Sequence, residues 1–436
     1  VSDELTSPVS ELPIGRHLLP ENARIAQDGR LSIAGVDLCE LADAFGTPVF
    51  VYDEEHLRAR CKEAVEAFGP CVAYATKAFL CKEMARLVVE EGMVLDVSTM
   101  GELAVARAAG VPPERLVMHG NNKSQGELEA ALELSVRRIA IDSFDEIDRL
   151  REMLANGTSR ERQPVLIRVT PGIEAHTHAY VMTGNEDTKF GFSVASGAAE
   201  EGIEAIAAIP SLKLVGIHAH IGSQIFDLDA FVREVEVLAP LIQSHGLSEL
   251  CIGGGLGVAY LNDERAASIT AWAREVRATC KAAGLGKGVS VYAEPGRAIV
   301  ATAGLTCYRV GTIKRLTAIR NYVAVDGGMS DNPRPVLYGA GYEAFLARAA
   351  DAQRTFDCRV VGKHCESGDV IVAEGRLPQD VAIGDVLVTP VTGAYGYAMA
   401  SNYNRVPRAP VVFVRDGKAR AVVRRETVED LLHLEP

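Results

Sequence analysis

VAYATKAFLCKEMARLVVEEGMVLDVS, residues 72–98, carries the pattern that decides the fold: an apolar run from Val72 to Thr76, an amphipathic stretch, and a second apolar run from Val94 to Ser98. A short apolar run followed by an amphipathic segment is what a parallel strand, buried on both faces, and its covering helix require. Outward from there the alternation continues between about Asp53 and Gly296, with runs at Leu116 to His119, Arg138 to Asp142, Val165 to Val169, Leu214 to His220, Leu247 to Ile252 and Val289 to Glu294. Helix starts are signalled between them, because Ser124 with Glu127 and Ser143 with Glu146 have the spacing of a capping box. Eight strand and helix units predict an α/β chain with a closed (β/α)8 barrel over residues 48–304.

Beyond Gly304 the texture changes to β-branched runs with turn signals: Tyr322 to Asp326 before Gly327-Gly328, Asp369 to Ala373, and Val386 to Val391. Residues 305–436 therefore read as a mostly antiparallel β domain. Arg24 to Val36, with Asp28-Gly29 near its centre, predicts a hairpin by which residues 1–47 add strands to that domain. Asn156 to Gln163 reads as an exposed loop, and Glu174 to Lys189, long and polar, as a lid.

The 436 residues carry 45 basic against 58 acidic side chains, a formal charge of −13, which disfavours nucleic acid and anionic lipid as partners. Val1 to Pro13, with Asp3, Glu4 and Glu11, does not read as a secretory signal, and no run is apolar for long enough to span a bilayer. The nine cysteines are odd in number, scattered and without a Cys-x-x-Cys pair, which suits a reducing cytoplasm.

In such a barrel the catalytic face lies at the C-terminal ends of the strands. Lys77 ends the first run, Asp96 lies in the second, His119 ends the third, Arg168 lies in the fifth, His218 and His220 end the sixth, and Glu294 ends the eighth. A lysine at a barrel mouth, partly desolvated, has a lowered amine pKa and can form a Schiff base. Gly253-Gly254-Gly255-Leu256-Gly257 after an apolar strand lets backbone N–H groups approach a phosphate. It fits neither a dinucleotide fingerprint, since Val258 stands where the last glycine would be, nor a P-loop. Glu294, in Glu294-Pro295-Gly296-Arg297, suits a protonated ring nitrogen, with an ion pair to Arg297 as the plain alternative. The pairs His176/His178 and His218/His220, with His119 and Asp142, raise a metal-dependent hydrolase. That reading gives Lys77 and the glycines no role, and no metal is expected.

As a set, Tyr74 to Lys77, His218-Ala-His220-Ile-Gly-Ser-Gln224, Gly253 to Gly257 and Glu294 to Arg297 resemble the fold-type III pyridoxal-phosphate (PLP) decarboxylases, the family of ornithine and diaminopimelate decarboxylases. The resemblance runs from about Gly46 to Arg405 and implies the two-domain architecture shared with alanine racemase. It implies that Lys77 holds PLP covalently, that His220 stacks on its ring, and that Glu294 meets the pyridine nitrogen. Ser223, Gly254, Gly255 and the turn of Glu294, Pro295, Gly296 and Arg297 would bind phosphate, and Asp96 and Arg168 would line the cofactor.

The C-terminal part chooses among family members. His364-Cys365-Glu366-Ser367-Gly368-Asp369 is similar to the diaminopimelate version of a segment that the family contributes from a second subunit, so a homodimer with shared sites is implied. In that resemblance Cys365 donates the proton and Glu366 binds the distal ammonium. Arg297, Arg334 and Tyr338 hold the substrate's carboxylate end, and Tyr395 touches phosphate and substrate. An arginine clamp suits a substrate with a second amino-acid head, and a buried clamp left unpaired would reject a shorter diamine by about 2 to 5 kcal/mol. The implied activity is decarboxylation of meso-2,6-diaminopimelate to L-lysine and CO2, the last step of lysine biosynthesis. The alternative is a decarboxylase of ornithine, arginine or a carboxylated polyamine. A racemase is disfavoured by the His364 to Asp369 segment, and a binding protein without turnover would be expected to lack Lys77 or Cys365, both present.

Overall fold

The computed structural model describes residues 13–155, 162–173 and 187–436. The His176/His178 pair, residues 174–186 of the expected lid, residues 156–161 of the expected loop and residues 1–12 lie outside them. Backbone contacts divide the chain into two units, one of Val1–Ala59, Val258–Ala266 and Ile299–Pro436, the other of Arg60–Gly257 and Ala267–Ala298.

The hairpin expected around Asp28-Gly29 forms as β1 (Ala23–Ile25) and β2 (Leu31–Ile33), but it joins β3 (Val36–Asp37) in a three-stranded sheet of its own. Within its own unit it is tied by isolated backbone bonds, the Leu31 N–H donating to the Ala347 carbonyl at 2.8 Å, and not by strand pairing with the nine-stranded sheet of that unit. The strand that does enter that sheet is β4 (Val49–Asp53), which the sequence placed at the start of the barrel. All five of its residues are buried, between neighbours on both edges.

The barrel unit holds β5 (Ala73–Ala75), β6 (Val94–Val97), β7 (Leu116–Met118), β8 (Arg138–Ile141), β9 (Gln163–Thr170), the short β10 (Phe192–Ser193) beside β9, β11 (Leu212–His218), β12 (Glu249–Cys251) and β13 (Ser290–Tyr292). Eight of them pair in parallel in chain order. The ring closes where the Ala73 N–H donates to the Ala293 carbonyl at 3.0 Å. Small side chains of neighbouring strands fill the wall, as in the buried clusters of Ala73, Val94 and Val117 and of Ala140, Leu166 and Val215. A register shift in β11 falls before Gly216, where a Cβ would stand 2.2 Å from the Glu249 carbonyl oxygen, so only glycine fits. Near the strand starts Arg138 of β8 pairs with Glu249 of β12, which also accepts from the Tyr292 hydroxyl.

The capping box at Ser124 and Glu127 starts the helix Gln125–Leu134 as expected. At Ser143 only half of one forms: the Glu146 N–H donates to Ser143 Oγ, while the Glu146 carboxylate turns to the ammonium of Lys123. Both of these charged side chains are fully buried, and Lys123 Nζ also donates to the carbonyls of Gly120 and Ala140.

The other unit is built on β14 (Gly304–Leu316), β15 (Arg320–Val325), β16 (Phe345–Leu346), β17 (Phe356–Val361), β18 (Val370–Leu377), β19 (Val386–Pro390), β20 (Val411–Arg415) and β21 (Lys418–Val423). With β4 they form one sheet in which only the β15/β17 and β4/β20 pairs are parallel. The expected mostly antiparallel domain is what forms. Among the described residues no helix is long and apolar enough to cross a membrane.

Candidate active site

Lys77 lies in a single 3-10 turn, Thr76–Ala78, directly after β5. Thr76 Oγ1 donates to the Asp96 carbonyl at 2.7 Å, which ties this turn to β6, and the Ala75 N–H donates to the Pro295 carbonyl at 3.3 Å. A Cβ on Gly296 would stand 3.0 Å from the Ala75 carbonyl oxygen and 3.1 Å from the Ala78 Cβ, so the Glu294–Arg297 turn packs directly on the turn that presents Lys77. One expectation is corrected. Lys77 is exposed rather than partly desolvated, because the 3-10 turn carries it beyond the buried strand.

Glu294 is buried after β13, and both its oxygens are engaged: Oε1 accepts from His119 Nε2 at 3.0 Å and Oε2 from His218 Nε2 at 2.9 Å. The alternative ion pair with Arg297 does not form, for the Arg297 guanidinium donates to Ser223 Oγ at 3.0 Å. Burial pushes the Glu294 carboxyl up, but His119 and His218 outweigh it and hold the group well below the usual carboxylate range. His218 is pulled down to about 4 by burial against the attraction of Glu294, so its ring is neutral. Burial lowers His119 as well, yet Asp96 and Glu294 together raise it above the ordinary histidine value. Asp96, on β6, is pushed up to about 6 by burial, opposed by His119 and reinforced by Glu294. Its Oδ1 is buried, without a hydrogen bond, 3.8 Å from His119 Nε2.

At the end of β11, His220 accepts the Gly254 N–H on Nδ1 at 3.1 Å, which leaves the ring proton on Nε2. Burial and the ammonium of Lys77 keep this imidazole well below its ordinary pKa, hence neutral. Gly253 and Gly255 adopt φ of +64° and +112°, and a Cβ on Gly255 would stand 2.3 Å from the Gly222 carbonyl oxygen. Such a turn needs glycine and leaves a side-chain-free face next to Ser223. Arg168, on β9, donates to Asp142 Oδ2 at 3.5 Å and lies 4.1 Å over the Phe190 ring.

The structure thus brings Lys77, Asp96, Arg168, His220 and Glu294 to the strand ends of one barrel, with Ser223, Gly254, Gly255, Pro295, Gly296 and Arg297 in the adjoining turns. These residues fit PLP. An exposed amine can carry it, a carboxylate held ionised suits its ring nitrogen, the orphaned Asp96 oxygen awaits a polar partner, and a glycine turn with a hydroxyl and a guanidinium suits phosphate. The sequence reading had His119 and His218 at strand ends without seeing that both serve Glu294. Their burial at the ends of β7 and β11 was the available signal.

In the other unit, Arg334 opens the short helix Arg334–Tyr338 and is buried. It donates to the Tyr342 hydroxyl and lies 4.3 Å from the centre of the Tyr260 ring, partners that no motif announced. Tyr338 is half-buried on the same helix. Cys365 and Glu366 are exposed, and Tyr395 holds a left-handed φ of +59°.

Residues 54–301 match the family model described as the pyridoxal binding domain of pyridoxal-dependent decarboxylases. The diaminopimelate decarboxylase of Mycobacterium tuberculosis is 45% identical, covering 97% of this chain and 99% of its own. That of Bacillus subtilis is 44% identical, over 95% and 97%. The crystal structure of diaminopimelate decarboxylase from M. jannaschii in complex with L-lysine superposes with a TM-score of 0.87 at 31% identity, over 96% of this chain and 98% of that one. The strand-end site and these likenesses agree: the chain belongs to the pyridoxal-dependent decarboxylases, and among them to the diaminopimelate decarboxylases.

Proposed function

We propose that this chain decarboxylates meso-2,6-diaminopimelate to L-lysine and CO2. The observation that carries this reading is the buried Glu294 carboxylate, kept ionised by two histidine N–H groups beside the turn that presents Lys77. Bound PLP supplies the electron sink for the pair left when the C–CO2 bond breaks. Glu294 holds the proton on the ring nitrogen, and the neutral His220 offers its flat face to the ring. Asp96 and Arg168 line the cofactor. Ser223, Gly254, Gly255, Tyr395 and the turn of Glu294, Pro295, Gly296 and Arg297 receive the phosphate oxygens.

Substrate recognition falls to Arg297, Arg334, Tyr338 and Tyr395 at the carboxylate end and to Glu366 at the distal ammonium. The stacking of Arg334 against Tyr260 and its bond to Tyr342 support this role, because a guanidinium fixed in plane loses little freedom when it grips a carboxylate. Cys365 delivers the proton to the carbon that lost CO2 and is reprotonated by water. In this reading Cys365 and Glu366 come from a second copy, the enzyme is a homodimer, and it works in the cytoplasm; cysteines that form no disulfide among the described residues support the last point. An active monomer would overturn the shared site.

The test is a coupled CO2 and lysine assay with added PLP, comparing meso-diaminopimelate, ornithine and arginine, with Lys77→Ala as control. Lysine formed from diaminopimelate alone and lost in the variant is the expected result. Turnover of ornithine or arginine instead overturns the substrate, and no turnover of any of the three overturns the activity.

A further inference from the structure

The segment from His364 to Asp369 is anchored at both ends and exposed in the middle. His364 and Asp369 are buried, whereas Cys365, Glu366, Ser367 and Gly368 are exposed. At one end the Asp369 carboxylate accepts from the His364 N–H at 2.8 Å and from the Met329 N–H at 2.6 Å. It fills space that a Cβ on Gly328 or Gly362 would need, 2.6 and 2.1 Å away. At the other end stands Asn404. Its Oδ1 lies 3.2 Å from the Cys365 backbone nitrogen and 3.1 Å from His364 Nδ1.

Those two distances settle the proton positions. The Cys365 N–H can only donate, so the carboxamide atom facing it is the oxygen. The same oxygen then requires a proton on His364 Nδ1, and a neutral His364 accepts the Ser330 hydroxyl on Nε2, 2.8 Å away. Asn404 is itself held out toward Cys365. Its φ of +52° is left-handed, a conformation asparagine tolerates better than most residues. The segment around it is braced by the Ser401 N–H on the Ser330 carbonyl and by Asn402 Nδ2 on Glu426 Oε2. The Tyr403 ring lies tilted against that of His364, 5.3 Å between centres.

We propose that Asn404 is a positioning residue for Cys365, its carboxamide oxygen receiving the Cys365 N–H and the His364 Nδ1–H and so fixing the backbone from which the thiol projects. This rests on the reading of Cys365 as the proton donor. Asn404 acts through the Cys365 backbone and sets where the thiol stands.

Two variants separate the side chain from the backbone. Asn404→Gly keeps the left-handed conformation and removes the acceptor, whereas Asn404→Asp keeps an acceptor oxygen. Both are measured in the holoenzyme for kcat and KM with diaminopimelate, thermal midpoint and cofactor absorbance, with Cys365→Ala alongside. The expected result is a fall in kcat of about tenfold in Asn404→Gly, the scale for losing the bond that aims the Cys365 backbone, one of the two that the carboxamide oxygen receives. KM, midpoint and absorbance stay put, and Asn404→Asp stays within about twofold of the parent. The proposal is overturned if Asn404→Gly keeps full kcat, if Asn404→Asp loses as much as Asn404→Gly, or if the loss comes with a lowered midpoint or absorbance. An active Cys365→Ala sinks the proton-donor reading itself; an inactive one beside a fully active Asn404→Gly sinks only the role of Asn404.

Discussion

Replacing Asp96 with asparagine should stabilise the cofactor-free protein while damaging its function, and the size of the gain should depend on pH. Asp96 is 7% exposed and its Oδ1 has no hydrogen bond. Burial raises its pKa from the ordinary aspartate value of 3.8 to about 6, with Glu294 adding to the effect and His119 and Lys77 opposing it. A carboxyl that binds its proton more tightly in the folded state stabilises the fold fully below its unfolded pKa and loses that contribution as pH rises through its folded pKa. Above pH 6 the ionised side chain therefore costs the apo fold about 3 kcal/mol relative to a group that never ionises. Asparagine is such a group and nearly the same size. Urea unfolding of the two apo proteins should show Asp96→Asn ahead by about 3 kcal/mol at pH 7.5 and by roughly half of that at pH 5. Saturating PLP should shrink the difference, since the bound cofactor would give Asp96 Oδ1 the hydrogen-bond partner that it lacks alone. Equal stability at pH 7.5, or the same gain at both pH values, would refute the reasoning.

Three further variants test the barrel. Lys123→Met strands the buried Glu146 carboxylate and should cost about 3 to 5 kcal/mol in urea unfolding. Lys123→Met with Glu146→Leu should recover most of that loss, and a single variant within about 1 kcal/mol of the parent would show that the pair is not what holds the strand ends. Glu294→Gln places an amide N–H₂ against a histidine N–H and removes the charge that we propose faces the ring nitrogen. Steady-state kinetics should show kcat falling by about 10²–10³ with KM changing far less, the scale for losing one preorganised electrostatic partner.

Which features were legible in the sequence follows from how local their cause is. The eight barrel strands could be read because most are apolar runs buried on both faces, and the site residues could be placed because a strand end fixes their height in the barrel. Val49–Asp53 shows the limit: its five buried residues look like any barrel strand, and only long-range pairing with β14 and β20 puts it in the other sheet. Glu146 shows a second limit. Its spacing from Ser143 signals a capping box, but Lys123, which comes from the preceding strand-to-helix loop, competes for the carboxylate, and a fully buried ammonium outbids a backbone N–H that water could satisfy. Glu294 and Arg297 fail in the same way as a pair. Three residues apart they look like partners, yet the histidines that take the carboxylate stand 175 and 76 positions away. Charged groups in this barrel choose partners by where the folded strands place them rather than by sequence distance, and that choice makes Glu294 an anion. Arg297 is buried as well, but its guanidinium turns to Ser223, so Glu294 is left to the imidazoles. Between two buried imidazoles it keeps a full negative charge in a low-dielectric setting, where a protonated ring nitrogen is worth the most.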